Sequence, residues 1–295
     1  WRLVTHSGLQ WPTENRGFPL LLLNQSYRCQ NPRLMRFAST LFYDARVRAN
    51  DQAEYFALPF AERQKRFPQR TLRLYRTSDL PADLRAERLV IEGKRPGLEN
   101  RLEAALAVQL VLDSLRRFPL KEITVISPYR RQVRLIRSAL TLDAAKAVLG
   151  EAAPDEAAWR AFVRSRISTV DSFQGGESDL VIITYVRSNR NGGIGFIGDP
   201  NRVNVTHTRA RREMLVIADS DCLVQQCRND IFRRMVRAFD RDGDVVTVTA
   251  AMAARLPVLP EGMVPLSNGR EAVVDVEASA GQPEAEDGGV AGGAP

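Results

Sequence analysis

Short apolar runs alternating with amphipathic stretches set the rhythm of this chain. Leu20–Leu23, Glu122–Ser127, Leu180–Val186 and Met214–Ala218 are rich in Leu, Val and Ile and are bounded by polar or turn residues. Runs of that length predict strands buried on both faces of a parallel sheet. Thr71–Tyr75 and Val245–Ala250 predict two further short strands. Between them the period changes to that of a helix. Asn31-Pro32 opens a helix through about Tyr43, with Pro suited to its first turn and Leu34, Phe37, Ala38, Leu41 and Phe42 at helical spacing. Glu99–Arg117 carries Leu102, Leu106, Leu110 and Leu115 along one face, and Arg130–Leu140 turns Val133, Ile136 and Leu140 inward. Ala144–Trp159 predicts a connecting helix and loop, and Cys222–Phe239 one amphipathic helix. Buried strands alternating with helices mean an α/β fold built on a parallel sheet. Polar motifs at several strand exits are then expected along one edge of that sheet, where such sheets hold ligands.

The remaining segments divide the chain. Residues 1–19, with two tryptophans and no clear period, predict the irregular edge of a preceding domain. Residues 20–250 form the main domain, and the Arg- and Pro-rich stretch 44–98 predicts an excursion from its core. Residues 251–295 form a tail whose Gly, Ala, Pro and acidic composition from about Val274 cannot bury a core and predicts disorder. Residue 1 is Trp, so the chain reads as a piece of a longer polypeptide.

Composition narrows the classes. With 295 residues, 44% hydrophobic and 26% charged, the chain suits a globular protein with a real core. No signal segment and no apolar run near the roughly 20 residues of a membrane helix is present, so no membrane partner is expected. Cys29, Cys222 and Cys227 form no CxxC pair, which argues against a zinc site or disulfide framework and fits an intracellular compartment, cytoplasm or nucleus. Six of the 35 acidic residues fall after Arg270, leaving 29 against all 42 basic ones in the body, a net +13. A basic body suits a polyanion such as nucleic acid, and an Arg-rich coding bias gives the same charge.

The candidate chemistry concerns phosphate. A GxxxxGK[ST] loop is absent, since Gly93-Lys94-Arg95 lacks both the first Gly and the hydroxyl residue. No strand ends in an Asp-Glu pair able to hold Mg²⁺. The chain offers trans-acting groups instead. Arg28 follows a buried strand, and Arg209 is expected on a helix beside Asn204 and Thr208. Arginines held at the ends of core elements can stabilise the charge on a transferring γ-phosphoryl group, and either one alone could equally be a surface or capping residue. Gln174-Gly175-Gly176-Glu177 makes a close-approach turn with a carboxylate able to accept a ribose hydroxyl. Ser127-Pro128-Tyr129 and Thr169, at strand exits, can meet a nucleic-acid phosphate through hydroxyl groups.

Taken in order these residues resemble a family. Val170-Asp171-Ser172-Phe173-Gln174-Gly175-Gly176-Glu177, Val186-Arg187-Ser188-Asn189, Gly195-Phe196 and Arg202-Val203-Asn204-Val205-Thr206-His207-Thr208-Arg209-Ala210-Arg211 look like motifs V and VI of superfamily 1 helicases. The similarity is to the branch containing the nonsense-mediated-decay and immunoglobulin-μ-binding helicases, whose pattern reads VDxFQGxE, VRSN…GF…RxNVAxTRAR. Ser127-Pro128-Tyr129 with Gln132 resembles TPYxxQ, and Gln25-Ser26-Tyr27-Arg28 resembles a QYR segment. The match spans about Leu20 to Asp219. Departures are Ser26 for Gln, Cys29-Gln30-Asn31 for Met-His, Gly176 for a residue often Arg, and His207 for an aliphatic residue, read as a satisfied core His. Gly198-Asp199-Pro200 mimics another helicase motif but reads as the turn before the Arg-bearing helix.

The resemblance implies a second RecA-like domain of the P-loop NTPase fold, helices on both faces of its sheet. It implies that Arg28 and Arg209 are arginine fingers for ATP bound on a first RecA-like domain, which would also hold Mg²⁺. It makes Gln25 and Gly175 nucleotide-binding and places Tyr27 near the adenine and Glu177 at the ribose. Ser127 and Thr169 would hold single-stranded RNA or DNA, with Tyr129 and Gln132 supporting that loop. Gln174 and Gly175 would couple nucleotide state to the nucleic-acid groove. The expected role is the C-terminal motor domain of an ATP-dependent, 5′-to-3′ helicase. The alternatives are a degenerate helicase half acting as a nucleic-acid-binding scaffold and a recombination-type superfamily 1 helicase, favoured only by Gln25.

Overall fold

The computed structural model describes residues 25–26, 31–49, 59, 61–62, 71–92, 95–173, 176–191, 193–225 and 230–260. In chain order the described elements are β1 (Gln25–Ser26), α1 (Pro32–Phe42), β2 (Arg48–Ala49), β3 (Leu72–Arg76), α2 (Ala82–Arg85), β4 (Arg88–Glu92) and β5 (Arg95–Glu99). They continue with α3 (Arg101–Ser114), β6 (Ile123–Ser127), α4 (Arg130–Ala139), α5 (Leu142–Leu149), α6 (Glu156–Arg166), β7 (Ile167–Thr169) and β8 (Ser178–Thr184). The last are α7 (Pro200–His207), β9 (Ala210–Ala218), α8 (Ser220–Gln225), α9 (Ile231–Asp242), β10 (Asp244–Thr247) and α10 (Ala250–Ala253). The strand expected at Leu20–Leu23, the site residues Tyr27, Arg28, Gln174 and Gly175, and the tail from Glu261 lie outside the described residues.

Among the described residues six strands form one sheet in the order β10-β3-β9-β8-β6-β7, every neighbouring pair parallel. Alternation along each strand divides the core between two faces. Leu180, Ile182, Leu215 and Ile217 pack with Leu106, Val133, Ile136 and Trp159 from α3, α4 and α6. Val181, Ile183, Met214 and Val216 pack on the other side with Phe37, Val203, Phe232 and Phe239 from α1, α7 and α9. The fold is therefore α/β with a RecA-like parallel sheet covered on both faces.

The sequence reading misses in four places. The stretch 44–98 is not wholly an excursion, because β3 within it lies between β10 and β9 in the main sheet. The strand itself is expected, at Thr71–Tyr75; its place inside the sheet is not. Helix α3 is buried nearly all round, with Ala104, Ala105 and Ala107 filling the sides between its leucines. Ala144–Trp159 resolves into α5 and α6, each started by a side-chain cap, Thr141 and Asp155 respectively. Cys222–Phe239 is two helices, α9 starting after Asp230 at a positive φ of 61°. Among the described residues no helix is long and apolar enough to cross a membrane.

Candidate functional site

The site residues divide between the two edges of the sheet, against the expectation of one edge. Ser127 ends β6 and Thr169 ends β7, at the carboxyl edge, where they are Cα partners across the ladder. Glu177 immediately precedes β8, and Arg209 immediately precedes β9, at the amino edge. Ser178 to Thr184 is one strand, so the edges stand about 20 Å apart at ~3.3 Å per residue. The segment from Val170 to Glu177 runs between them, with a 3-10 turn at Asp171–Phe173. Its Phe173 ring leaves no room at Gly176, where a Cβ would sit 2.8 Å from the ring. That approach accounts for glycine at the position.

Arg209 lies past the helix expected to carry it. Asp199 caps α7 through its side chain and Pro200 fills the first turn. Thr208 closes the helix, its hydroxyl and amide both donating to the Asn204 carbonyl. The Arg209 carbonyl then accepts the Ser178 amide at 3.1 Å, starting the β9–β8 ladder. Its side chain turns back, Nε donating to the Val205 carbonyl at 2.9 Å and Nη1 to the Gly176 carbonyl at 3.1 Å. The guanidinium is buried and held at the helix carboxyl end, where cation and dipole attract.

Arg211, two residues on, gathers three carboxylates. Its Nε donates to Asp179 Oδ1 at 2.9 Å, Nη1 to Glu177 Oε1 at 3.2 Å and Nη2 to Glu122 Oε2 at 2.5 Å. Glu122 precedes β6 and Asp179 lies on β8, so one guanidinium ties three neighbouring strands to the Glu177 loop. Sequence reasoning named Arg211 only as part of a motif. Its partners Glu177, Asp179 and Glu122 are distant in sequence, so no local pattern signals the cluster.

The carboxyl edge is a hydrogen-bonded frame. Ser127 is fully buried, its hydroxyl 3.5 Å from the Tyr129 amide, whereas Thr169 is partly exposed and shares a 2.8 Å hydrogen bond with exposed Ser172. Tyr129 is buried, and desolvation pushes its phenol up to about 12. Gln132, also fully buried, accepts the Asn100 amide at 2.8 Å and donates to the Asn100 carbonyl at 3.1 Å and the Thr184 hydroxyl at 3.2 Å. Its geometry is that of a bracket inside the loop. Gln25, on β1, pairs with Arg48 and is exposed.

Beneath this frame sits Glu103, which sequence reasoning missed because it falls on the helix face counted as solvent. It accepts the Thr184 hydroxyl at 2.5 Å and the Val186 amide at 2.8 Å, and its Oε1 has no hydrogen-bond partner among the described residues. Complete burial raises its carboxyl to about 8. Val186 is held at φ 71°, a costly conformation for a β-branched residue, by that contact and by Asn100 Nδ2 on its carbonyl at 3.1 Å. Asp219, buried at the end of β9, accepts the hydroxyls of Ser78 and Ser188 and pairs with Arg85. His207 is only half satisfied: Nδ1 meets the Val203 carbonyl at 2.8 Å, while buried Nε2 has no partner among the described residues. Burial lowers it to about 4. Among the described residues no group of three or more His, Cys, Asp and Glu side chains is arranged to hold a metal ion.

A sequence model of the AAA domain family matches residues 7–221. DNA-binding protein SMUBP-2 of Rattus norvegicus is 37% identical over 127 residues, 43% of this chain and 11% of that protein. Helicase sen1 of Schizosaccharomyces pombe is 27% identical over 255 residues, 82% of this chain and 14% of that protein. ATP-dependent helicase NAM7 of Saccharomyces cerevisiae is 27% identical over 237 residues, 79% of this chain and 22% of that protein. The chain thus spans less than a quarter of the length of these relatives.

Proposed function

Since the chain belongs to the superfamily 1 helicases, in the branch of the nonsense-mediated-decay and immunoglobulin-μ-binding helicases, we propose that it is the C-terminal motor domain of an ATP-dependent helicase acting on single-stranded RNA or DNA. The observation that carries this reading is the setting of Arg209. It is buried, anchored by two carbonyls and set at the same edge of the sheet as Glu177. A guanidinium fixed in this way loses little freedom when it meets a phosphate, which suits a group that acts only in the transition state.

The donor chemistry fits a nucleoside triphosphate presented by a first RecA-like domain. Arg209, with Arg28, would donate to the γ-phosphate, Glu177 would accept from the ribose, and Gln25 and Tyr27 would lie by the adenine. ATP supplies the phosphoanhydride; this chain supplies charge at the moment of cleavage. We assign the Mg²⁺ ligands to the first domain and none to this chain. At the carboxyl edge Thr169, with Ser127 behind it, would meet the strand backbone, with Tyr129 and Gln132 holding the loop. Gln174 and Gly175, on the segment joining the edges, would link nucleotide state to strand grip. The protein is proposed to work inside the cell, in cytoplasm or nucleus.

The engagement of both Arg209 and Glu177 by groups of this chain also favours a second reading, a scaffold that binds nucleic acid without turnover. A strand-displacement assay on the full-length protein, with both overhang polarities and both sugars, separates them. The motor reading expects ATP-dependent displacement with a 5′ overhang. Nucleic-acid binding without displacement or hydrolysis would favour the scaffold.

A further inference from the structure

We infer that Arg211 is the positioning residue for Glu177 and thereby sets the preference of this motor for ribonucleotides, an inference that rests on the reading of Glu177 as the ribose acceptor. The geometry supplies the argument. Glu177 immediately precedes β8 with its side chain 36% exposed, where a carboxylate needs fixed partners to keep one rotamer. Arg211 fixes one of its oxygens at 3.2 Å through Nη1. The same guanidinium is anchored at its other two nitrogens by Asp179 at 2.9 Å and Glu122 at 2.5 Å. Both anchors belong to the framework of the sheet, Asp179 on β8 and Glu122 just before β6. The Asp179 amide also donates to Glu122 Oε2 at 3.3 Å, which closes the cluster.

Charge makes the arrangement more than a strut. Three carboxylates share this corner with Arg211 and with Arg212, which lies 3.6 Å from Asp179. Without Arg211 the three would repel one another in partly desolvated surroundings, and Glu177, the most exposed of them, would shift most readily. A carboxylate offers about four acceptor sites on its two oxygens, so the bond from arginine leaves acceptor capacity for a sugar hydroxyl. Lysine could neutralise the corner but has no planar fork to reach three carboxylates in fixed directions. Arg209 and Arg211 therefore divide the work of one strand: Arg209 for phosphate, Arg211 for the sugar by way of Glu177.

The test uses the full-length protein and steady-state hydrolysis of ATP, 2′-deoxy-ATP and 3′-deoxy-ATP, comparing wild type, Glu177→Gln, Arg211→Gln, Arg211→Lys and the Glu177→Gln/Arg211→Gln double variant. The expected result is that Arg211→Gln raises KM for ATP about tenfold, the size of one charge-assisted hydrogen bond, with kcat changed less than about twofold. The preference for ATP over the more strongly rejected deoxy analogue should collapse to the value of Glu177→Gln, and the double variant should go no lower. Arg211→Lys should recover part of that preference, and it carries the test should Arg211→Gln not fold. Unchanged sugar preference in Glu177→Gln would remove the ribose reading itself. Loss of preference in Glu177→Gln but not in the Arg211 variants would overturn this inference, as would strict additivity in the double variant.

Discussion

Arg209 donates through Nη1 to the carbonyl oxygen of Gly176 at 3.1 Å, while the next residue but one of that loop, Ser178, returns its amide to the Arg209 carbonyl at 3.1 Å. The two glycine-loop and arginine segments, far apart in sequence, are thus locked face to face at the amino edge. Through these two bonds a displacement of Gly176 is felt directly at Arg209. That gives a physical route by which a strand gripped at Thr169 could be felt at a phosphate about 20 Å away, along a single stretch of backbone.

Gln132 holds the carboxyl-edge loop from within, so its removal should cost stability rather than phosphate contact. Gln132→Ala takes the Gln132 oxygen from the buried Asn100 amide, while the Asn100 carbonyl keeps the Ala104 amide at 2.9 Å, a loss of roughly 1–3 kcal/mol. Thermal or denaturant unfolding should show that drop. The slope of log affinity against log salt for single strands should match wild type, because no cation is lost. A flatter slope would mean that Gln132 acts in the phosphate contact after all.

Glu103 makes stability depend on pH. Its folded value of about 8 lies above the ordinary 4.5, so the folded state holds the extra proton between them. Its contribution is complete below about pH 4.5 and disappears as pH rises through about 8. Glu103→Gln, whose carbonyl can take the Thr184 and Val186 contacts, should remove that decline and be the more stable protein at pH 8. Denaturant midpoints across this range check it; a parallel decline in the variant would contradict it.

His207 works in the opposite sense. Its folded value near 4 lies below the ordinary 6.5, so the neutral ring supports the fold above about pH 6.5 and that support fades as pH falls toward 4. Burial with Phe37, Phe42 and Tyr185 around it is the cause. His207→Leu should lose less stability than wild type between pH 6.5 and 4. An acid transition at the same pH in both proteins would refute this.

Much of the frame was legible in the residues and some was not, for definite reasons. The runs at Ile123–Ser127 and Ser178–Thr184 are centred on Ile, Val and Leu, with polar Thr124, Ser127, Ser178 and Thr184 also buried, so a buried-strand rule finds them. Leu72–Arg76 is the strand expected at Thr71–Tyr75, but two arginines in five residues give no local sign that it lies inside the sheet, between β10 and β9. Arg209 was identified by motif but placed on a helix, because the ladder bond from Ser178 that draws it toward β9 is a long-range contact no local pattern reports. The division into two edges has the same origin. Direction along a parallel sheet depends on where each loop starts and ends, and the loop from Val170 to Glu177 starts at one edge and ends at the other. Glu103 and the three-way grip of Arg211 depend on distances between residues scores of positions apart.

The chain of 295 residues has no GxxxxGK[ST] loop, and it should not hydrolyse ATP by itself. Purified chain assayed with and without single-stranded nucleic acid should release phosphate at the buffer rate. Turnover above that rate would place a complete nucleotide site within these residues.

The account turns on Arg209, and one comparison in the full-length protein tests it most directly: nucleotide affinity and nucleic-acid-stimulated hydrolysis of Arg209→Ala and Arg209→Lys against wild type. If Arg209 serves the transition state, both variants should bind ATP within about threefold of wild type while turnover falls by about 10³ or more. Wild-type turnover in either variant, or an affinity loss that accounts for the whole fall in rate, would contradict it.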